Sequence, residues 1–269
     1  MSSWAIIGAS RGIGLEYVRQ LSADPTNTVF ALVRDAARAE HLQPLAAAHK
    51  TVHVLAADLT DHRTLKAAAD AVASRAPGGA LDVLVVNGAK TGGALYFTPL
   101  TEYAGREDEV DAEYTDAFRT NVLGPLHATT AFLPLLRLGC TRKIICISSS
   151  AADLGEAQRA GSTMMAAYAC TKAALNMLVL QLANTLRSER FVCVALSPGI
   201  VNTSETTAGK RFDDALRSIH RAYADWTPVA YTPGPAESVT HQLATIARLA
   251  PGDSGAFLSE KGRTVLYED

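Results

Sequence analysis

The chain has 269 residues, with 25 lysines and arginines against 27 aspartates and glutamates, so its formal net charge is −2. This balance argues against a nucleic-acid-binding protein, which needs a basic surface, and against attachment to an anionic membrane. Hydrophobic residues make up 48% and charged residues 19% of the sequence, as in a folded globular protein rather than a disordered chain.

The four cysteines and seven histidines show no metal-ligand spacing and no CxxC pair, so no metal site is predicted. The N-terminal residues lack the basic and apolar regions of a secretion signal. No apolar run is judged long enough to cross a bilayer. We therefore expect a soluble, cytoplasmic protein with free thiols and no membrane partner.

Short apolar segments alternate with helical patterns along the chain. Strands are predicted at residues 4–7, 28–33, 52–56, 81–86, 143–147, 191–196 and 256–258. Helices are predicted at residues 12–21, 36–48, 61–74, 113–136, 167–186 and 236–249, the fourth kinked at Gly124-Pro125. This order predicts an α/β fold: one doubly wound parallel sheet of about seven strands with helices on both faces. All 269 residues are expected to form one domain, with a looser, substrate-covering region at residues 199–234.

A glycine-rich segment follows the first predicted strand. Residues 8–14 read GASRGIG and lie between that strand and a helix. Gly8 permits a tight turn, Gly12 lets the backbone approach a pyrophosphate, and Gly14 lets the helix pack against the strand. Free N–H groups at the start of the helix favour the anion. The segment predicts a dinucleotide site; a glycine-rich turn without a ligand is the alternative.

The end of the second strand distinguishes NAD from NADP. An NAD site usually has an acidic residue there, which binds the ribose 2′-hydroxyl. This chain has Val33 and then Arg34, and Arg11 lies inside the glycine-rich segment. Two guanidinium groups suit a 2′-phosphate dianion, because each can form paired hydrogen bonds to it. We therefore predict NADP(H); Asp35 leaves NAD open, and both arginines as solvated surface residues are a further alternative.

Further motifs follow in a fixed order: TNVLG at residues 120–124, three serines at 148–150, YACTK at 168–172 and SPGIVNT at 197–203. Together with the glycine-rich segment, these motifs resemble the short-chain dehydrogenase/reductase family, classical type, over essentially the whole chain. The segment GAFLSEKG at residues 255–262 is similar to the carbonyl-reductase branch, often called sniffer-like. The resemblance implies a Rossmann fold and an NADPH-dependent oxidoreductase that interconverts a ketone or aldehyde and an alcohol.

The resemblance also assigns roles to residues. It implies a catalytic tetrad in which Tyr168 exchanges the proton, Lys172 also binds the nicotinamide ribose, Ser149 binds the substrate oxygen and Asn121 holds a relay water. Ser150 is the alternative to Ser149 among the three serines. The implied cofactor-binding residues are Gly8, Ser10, Arg11, Gly12, Ile13, Gly14, Arg34, Asp58 (adenine), Leu59, Asn87, Gly88, Tyr168, Lys172, Pro198, Gly199, Val201 and Thr203 (carboxamide).

Tyr168 and Lys172 are four residues apart, so they share one face of a helix. A free tyrosine has a pKa near 10, and acid–base work at neutral pH requires a pKa lower by about two or three units. A nearby ammonium favours the phenolate and shifts the pKa in that direction. Taken alone, a packing tyrosine beside a solvated lysine is the alternative interpretation.

Three features depart from the family pattern. Ile7 replaces a threonine, and residues 86–89 read VNGA in place of NNAG, so we expect a less well-braced turn and weaker cofactor affinity. The distance of 19 residues from Ser149 to Tyr168 is longer than usual, and the surplus predicts a flap at residues 153–165 over the substrate.

The substrate pocket is predicted to be mostly apolar, which favours an uncharged, moderately hydrophobic ketone or aldehyde. Its expected lining is Lys90, Thr91, Leu154, Met164, Met165, Ile200, Val201, Phe212 and Trp226. In the family, two long helices, here around residues 113–136 and 167–188, often form a dimer or tetramer interface, so a homodimer or homotetramer is expected. A cofactor-sensing or scaffolding protein, or a non-redox enzyme on the same fold, is the alternative function.

Overall fold

A computed structural model describes residues 2–161, 163–206 and 233–264. Its frame is one sheet of seven parallel strands in the order β3-β2-β1-β4-β5-β6-β7. The strands are β1 (Ser3–Ile7), β2 (Thr28–Val33), β3 (Val52–Ala56), β4 (Val83–Val86), β5 (Lys143–Ile147), β6 (Val192–Ser197) and β7 (Phe257–Ser259). The predicted doubly wound parallel sheet is therefore confirmed.

Eight α-helices connect the strands within the described residues. They are α1 (Gly12–Ser22), α2 (Leu42–Ala48), α3 (His62–Arg75), α4 (Glu107–Phe118), α5 (Gly124–Leu138), α6 (Leu154–Ala160), α7 (Ala166–Thr185) and α8 (Pro235–Arg248). Buried residues of α3, α5 and α7 form one core on the sheet, and those of α1, α2 and α8 form a second core. Strands β4, β5 and β6 are buried on both faces and, apart from Lys143 and Ser197 at their ends, apolar, because each face is covered by helices.

The order of the strands reverses direction beside β1. Strand β1 pairs with β2 on one side and with β4 on the other. The connection that follows β1 therefore runs to one side of the sheet, and the connection that follows β4 runs to the other side. Such a switch point opens a crevice beyond the carboxyl ends of the strands. The residues that follow β1, β2, β4, β5 and β6 all lie at this edge.

The helix predicted over residues 113–136 is wrong as a single kinked helix. It is replaced by α4, a π-helical turn at Arg119–Leu123, and α5. The turn comes just before Pro125, which has no N–H to donate to the carbonyl of Asn121 four residues earlier. Helix α4 also begins at Glu107, inside the stretch expected to be irregular, and three acidic residues of its first turn favour that start.

Helix α2 is shorter than predicted, because the chain from residue 36 to 41 forms turns instead. The Asp35 carboxylate accepts hydrogen bonds from the backbone N–H of Ala37 at 3.0 Å and of Arg38 at 3.3 Å. Such local side-chain bonds compete with helix formation. The predicted flap at residues 153–165 contains helix α6, and of the looser region at 199–234 only residues 199–206, 233 and 234 are described.

One helix contradicts the expectation that no segment is long and apolar enough to cross a bilayer. Helix α7 has 20 residues and a mean hydropathy of 1.2 over its best window. A core helix passes the same test, and α7 packs Leu175 and Val179 into the sheet core. Its buried polar residues, Thr171 and Lys172, are hydrogen-bonded inside the fold rather than placed for lipid contact.

Candidate active site

The carboxyl ends of β1 and β4 are pressed together at Gly8. This residue has a φ of +85°, and a Cβ atom on it would lie 2.6 Å from the backbone nitrogen of Gly88. Only glycine tolerates both the backbone conformation and the contact. A Cβ on Gly14 would likewise overlap the Gly8 carbonyl, so α1 packs directly against the turn.

The same turn is braced despite the altered residues 86–89. The Asn87 side-chain amide donates to the Gly8 carbonyl at 3.1 Å, and the Gly88 N–H donates to the Ile7 carbonyl at 3.0 Å. The Ile7 side chain is only 1% exposed and belongs to the apolar core. Asn87 and the backbone thus supply hydrogen bonds to the turn, and the weaker cofactor affinity expected from the altered residues stays a prediction.

The first turn of α1 has a backbone N–H group that could bind an anion, and in this structure a threonine hydroxyl accepts its hydrogen bond. The Gly12 N–H donates to the Thr206 Oγ1 at 2.8 Å, and a Cβ on Gly12 would lie 3.2 Å from the Thr203 methyl carbon. A pyrophosphate oxygen bound by this N–H would replace the Thr206 hydroxyl as acceptor. Sequence reasoning missed Thr206, which lies three residues beyond the recognised SPGIVNT motif.

A cleft of about 1290 Å³ runs along the carboxyl edge of the sheet, and it brings the predicted residues together. It is lined by every predicted cofactor and catalytic residue except Gly14 and Asn121, which pack behind its walls. The donors, the glycine turn and the volume of the cleft fit a dinucleotide. No cluster of three potential metal ligands occurs among the described residues.

The basic and acidic residues at the adenosine end of the cleft differ in their partners. Arg11 and Arg34 line the cleft and are exposed, and their guanidinium groups have no hydrogen-bond or ion-pair partner among the described residues. The Asp35 carboxylate instead bonds its own loop and forms an ion pair with Arg38 at 3.4 Å. Asp58 also lines the cleft, where its Oδ1 accepts two hydrogen bonds from Thr60.

The three consecutive serines after β5 have three different partners. Ser148 donates to an amide oxygen of α7 at 2.6 Å, and Ser150 bonds to Glu156 of helix α6. Ser149 is the serine whose side chain is hydrogen-bonded to Tyr168. Among the three, Ser149 is the serine beside Tyr168, and its carbonyl-binding role stays a prediction.

Tyr168 and Lys172 lie on one face of α7, but the expected effect of the ammonium on the tyrosine is not found. Burial raises the pKa of Tyr168, and the hydrogen bond with Ser149 opposes that rise only in part. Lys172 is 2% exposed, donates to the Ile147 carbonyl at 2.7 Å, and its Nζ lies 5.7 Å from the Tyr168 ring centre. Burial lowers the pKa of Lys172 itself to about 8, and the interaction with Cys146 opposes this shift only in part.

Asn121 is buried in the π-helical turn and connects three parts of the site. Its Oδ1 accepts from the Lys90 N–H at 2.8 Å, and its Nδ2 donates to the Lys90 carbonyl at 3.0 Å and to Thr171 Oγ1 at 3.0 Å. The side chain thus ties the loop after β4 to helix α7. Its amide is fully engaged by protein atoms, and Pro125 leaves the Asn121 carbonyl without its α-helical donor.

The substrate end of the cleft has an aromatic wall that sequence reasoning missed. Tyr96 and Phe97 pack edge to face at 4.9 Å, both line the cleft, and Phe97 is 43% exposed. The Met165 N–H donates to the Tyr96 carbonyl at 2.7 Å, which connects this wall to the flap. Two adjacent aromatic residues shortly after Gly92 and Gly93 were the signal in the sequence that could have predicted this wall.

The predicted substrate residues divide into three groups. Lys90, Thr91, Met165, Ile200 and Val201 line the cleft as expected. Leu154 and Met164 do not line it, and Leu154 is 69% exposed on helix α6. The predicted Phe212 and Trp226 lie outside the described residues.

The depressed pKa of Lys172 predicts a pH dependence of stability. Between pH 8 and 10.5 the unfolded chain keeps this proton while the folded protein releases it, so the stability of the folded state rises with pH in that window. Relative to Lys172→Met, the free energy of unfolding of the wild type should increase from pH 8 to pH 10, by at most about 1.4 kcal/mol per pH unit. Urea unfolding of both proteins without cofactor measures the two free energies of unfolding. A difference between wild type and variant that stays constant or falls from pH 8 to pH 10 would contradict the lowered pKa of Lys172.

The sequence and the structure match known proteins over nearly the whole chain. The sequence profile of short chain dehydrogenases matches residues 3–213. The short-chain dehydrogenase/reductase atnB of Arthrinium sp is 38% identical over 263 residues, which cover 97% of this chain and 98% of that protein. The short-chain dehydrogenase/reductase AacuF of Aspergillus aculeatus is 35% identical, with coverages of 97% and 98%.

Solved structures agree. The NADPH-bound carbonyl reductase from chicken fatty liver has a TM-score of 0.78 and 29% identity, with 99% of both chains covered. The carbonyl reductase Sniffer of D. melanogaster shares the fold with a TM-score of 0.79 at 24% identity, over 99% of this chain and all of the other. The chain therefore belongs to the short-chain dehydrogenase/reductase family, and it is a carbonyl-reductase-like oxidoreductase that acts on alcohol and carbonyl groups.

Proposed function

We propose that the protein is an NADPH-dependent reductase of uncharged, apolar ketones or aldehydes. The observation that carries the proposal is that Ser149, Tyr168 and buried Lys172 together line the wall of the cleft that begins at the glycine turn. When bound, NADPH supplies the hydride from its nicotinamide ring. The chain's own residues would hold the carbonyl, supply the proton and exclude water.

Proton transfer is assigned to Tyr168. The Tyr168 hydroxyl is protonated at neutral pH and can donate to the oxygen of a carbonyl being reduced, but burial raises its pKa and so makes the proton harder to release. Ser149 would hydrogen-bond the same oxygen and stabilise the charge that develops there. Lys172 has a pKa of about 8 and is mainly protonated at neutral pH. It would hold the ribose and stabilise the phenolate that remains after Tyr168 has given up its proton.

Resupply of the proton is assigned to the π-helical turn. The Asn121 side chain is hydrogen-bonded to Lys90 and Thr171, so the residue would act through its backbone carbonyl. That carbonyl receives no α-helical hydrogen bond, because Pro125 has no N–H to donate. We propose that a water bound at this carbonyl connects the active site to bulk solvent. The side chain then serves to fix the turn that presents the carbonyl.

Discrimination for NADPH is assigned to the two arginines. Arg11 and Arg34 line the cleft and their guanidinium groups have no partner among the described residues, whereas the carboxylate of Asp35, which would favour NAD, is bonded to its own loop. The aromatic wall of Tyr96 and Phe97, together with Met165, favours an apolar substrate with a flat face.

A homodimer is proposed on the outward side of α4, the π-helical turn and α7. Phe118, Leu123, Met177 and Leu180 are between 39% and 56% exposed there. A helix that is apolar on its inner and outer faces, as α7 is, usually packs on both. A groove of about 620 Å³ lies between the same elements, lined mainly by carbon atoms, and would receive side chains of a second copy.

Substitution of Arg34 tests the cofactor preference. Arg34→Ala should raise the Kd for NADPH by about 10- to 100-fold, because a hydrogen bond to a charged group contributes about 1.5–3 kcal/mol, and should leave the Kd for NADH unchanged. Arg38→Ala is the matched control, since its side chain is 88% exposed and pairs with Asp35. Fluorescence titration gives both constants; equal losses for both cofactors would refute the 2′-phosphate role.

Substitution of Tyr168 tests the chemistry. Tyr168→Phe should lower kcat for NADPH-driven carbonyl reduction by about 10²- to 10⁴-fold, with the NADPH affinity within about twofold of the wild type, because only the proton donor is lost. Tyr114→Phe is the control, because Tyr114 lines the outward groove and not the cleft. Retained turnover in Tyr168→Phe would contradict the mechanism and favour a non-redox or cofactor-sensing role.

Substitution of Leu180 tests the dimer. Leu180→Lys should shift the protein from dimer to monomer in sedimentation velocity at micromolar concentration, because it places a charge in an apolar interface. Leu100→Lys, at a residue that is 61% exposed outside this surface, should leave the dimer intact. A wild-type monomer, or a dimer insensitive to Leu180→Lys, would refute the proposed surface.

A further inference from the structure

A buried chain of hydrogen bonds links the helix of the glycine turn to the opposite wall of the cleft. Tyr17 of α1 donates to Gln242 Oε1 at 2.7 Å, and Gln242 Nε2 donates to Ser238 Oγ at 2.9 Å. Ser238 Oγ then donates to the Pro198 carbonyl at 2.7 Å. The three side chains are fully buried, and every link runs in the same direction.

The last acceptor marks where the chain leaves the sheet. Pairing between β6 and β7 ends at Ser197 opposite Ser259, so the next carbonyl, that of Pro198, lies beyond the strand pairing. A buried carbonyl needs a donor, and Ser238 on the first turn of α8 supplies it. Pro198 and Gly199 open a segment that lines the cleft together with the glycine turn.

The chain of bonds is built to keep one polarity. Burial raises the pKa of Tyr17 well above its ordinary value, so its hydroxyl remains a donor over the whole working pH range. Donation by Tyr17 fixes the orientation of the Gln242 amide, and the amide in turn leaves the Ser238 hydrogen free for Pro198. Hydrogen bonds in series strengthen one another in a buried setting.

We propose that Tyr17, Gln242 and Ser238 are positioning residues. They fix the position of the Pro198–Gly199 segment in the part of the cleft where the nicotinamide would bind. The chain couples this wall to α1, so that both walls of the cofactor site are fixed by one buried network. The inference rests on the proposed function, because it assigns the segment a role in holding NADPH.

The experiment compares Ser238→Ala with Ser3→Ala. Ser3 is also buried, and its hydroxyl donates to the Ala80 carbonyl at 2.9 Å, but it lies at the opposite, amino edge of the sheet. Both variants lose a buried hydroxyl-to-carbonyl bond, so both should lower Tm. Only Ser238→Ala should raise the Kd for NADPH and lower kcat, each by about fivefold to tenfold, as loss of one buried hydrogen bond to the segment implies.

Tyr17→Phe is the second variant, because it keeps the buried ring and removes only the first donor. It should weaken NADPH binding less than Ser238→Ala does, since Gln242 and Ser238 retain their own links. Equal NADPH affinity in Ser238→Ala, Tyr17→Phe, Ser3→Ala and the wild type would overturn the positioning role and leave a stabilising one. A wild type that binds no NADPH would refute the proposed function itself, which separates the two failures.

Discussion

The contact between Gly8 and Gly88 is the constraint on which the rest of the site depends. It brings the carboxyl ends of β1 and β4 so close that Gly8 cannot carry a Cβ atom, which would lie 2.6 Å from the Gly88 backbone nitrogen. The crevice between the two crossovers follows from this approach. The Asn87 amide holds the turn closed by bonding to the Gly8 carbonyl.

Burial decides the chemistry that the cleft can perform. The protein environment raises the pKa of Tyr168 and lowers the pKa of Lys172, so both groups are moved toward their uncharged forms. Tyr168 therefore holds its proton more tightly than a free tyrosine, whereas Lys172 releases its proton more readily than a free lysine. The Ser149 hydrogen bond acts against this tendency and makes the tyrosine the point at which substrate, serine and helix meet.

Much of the fold follows from local patterns in the sequence. Strand–helix alternation predicts the sheet, and the predicted bounds of β1, β2, α1 and α7 agree with the structure within one residue. The failures have local physical causes. Asp35 bonds to the amides of its own loop and delays α2, and Pro125 with Asn121 inserts a π-helical turn where a single long helix was expected.

Site residues that belong to a sequence motif could be predicted. Site residues that are brought together only by tertiary contacts could not. The order of motifs chose Ser149 from three serines, but only the fold shows that Ser148 and Ser150 have other partners. The Gly12–Thr206 bond and the buried Tyr17–Gln242–Ser238 chain join residues far apart in sequence, up to 225 positions in one bond. No periodicity or spacing in a single sequence encodes such contacts.

The central claim is that this cleft transfers hydride from NADPH to a carbonyl carbon. The most direct measurement incubates the protein with NADPH deuterated at C4, prepared separately in its two stereochemical forms, and a panel of neutral aryl ketones. Mass spectrometry of the product alcohols should show one added deuterium from one of the two forms. Tight NADPH binding with no deuterium in any alcohol would contradict the account and indicate a cofactor-binding protein without reductase activity.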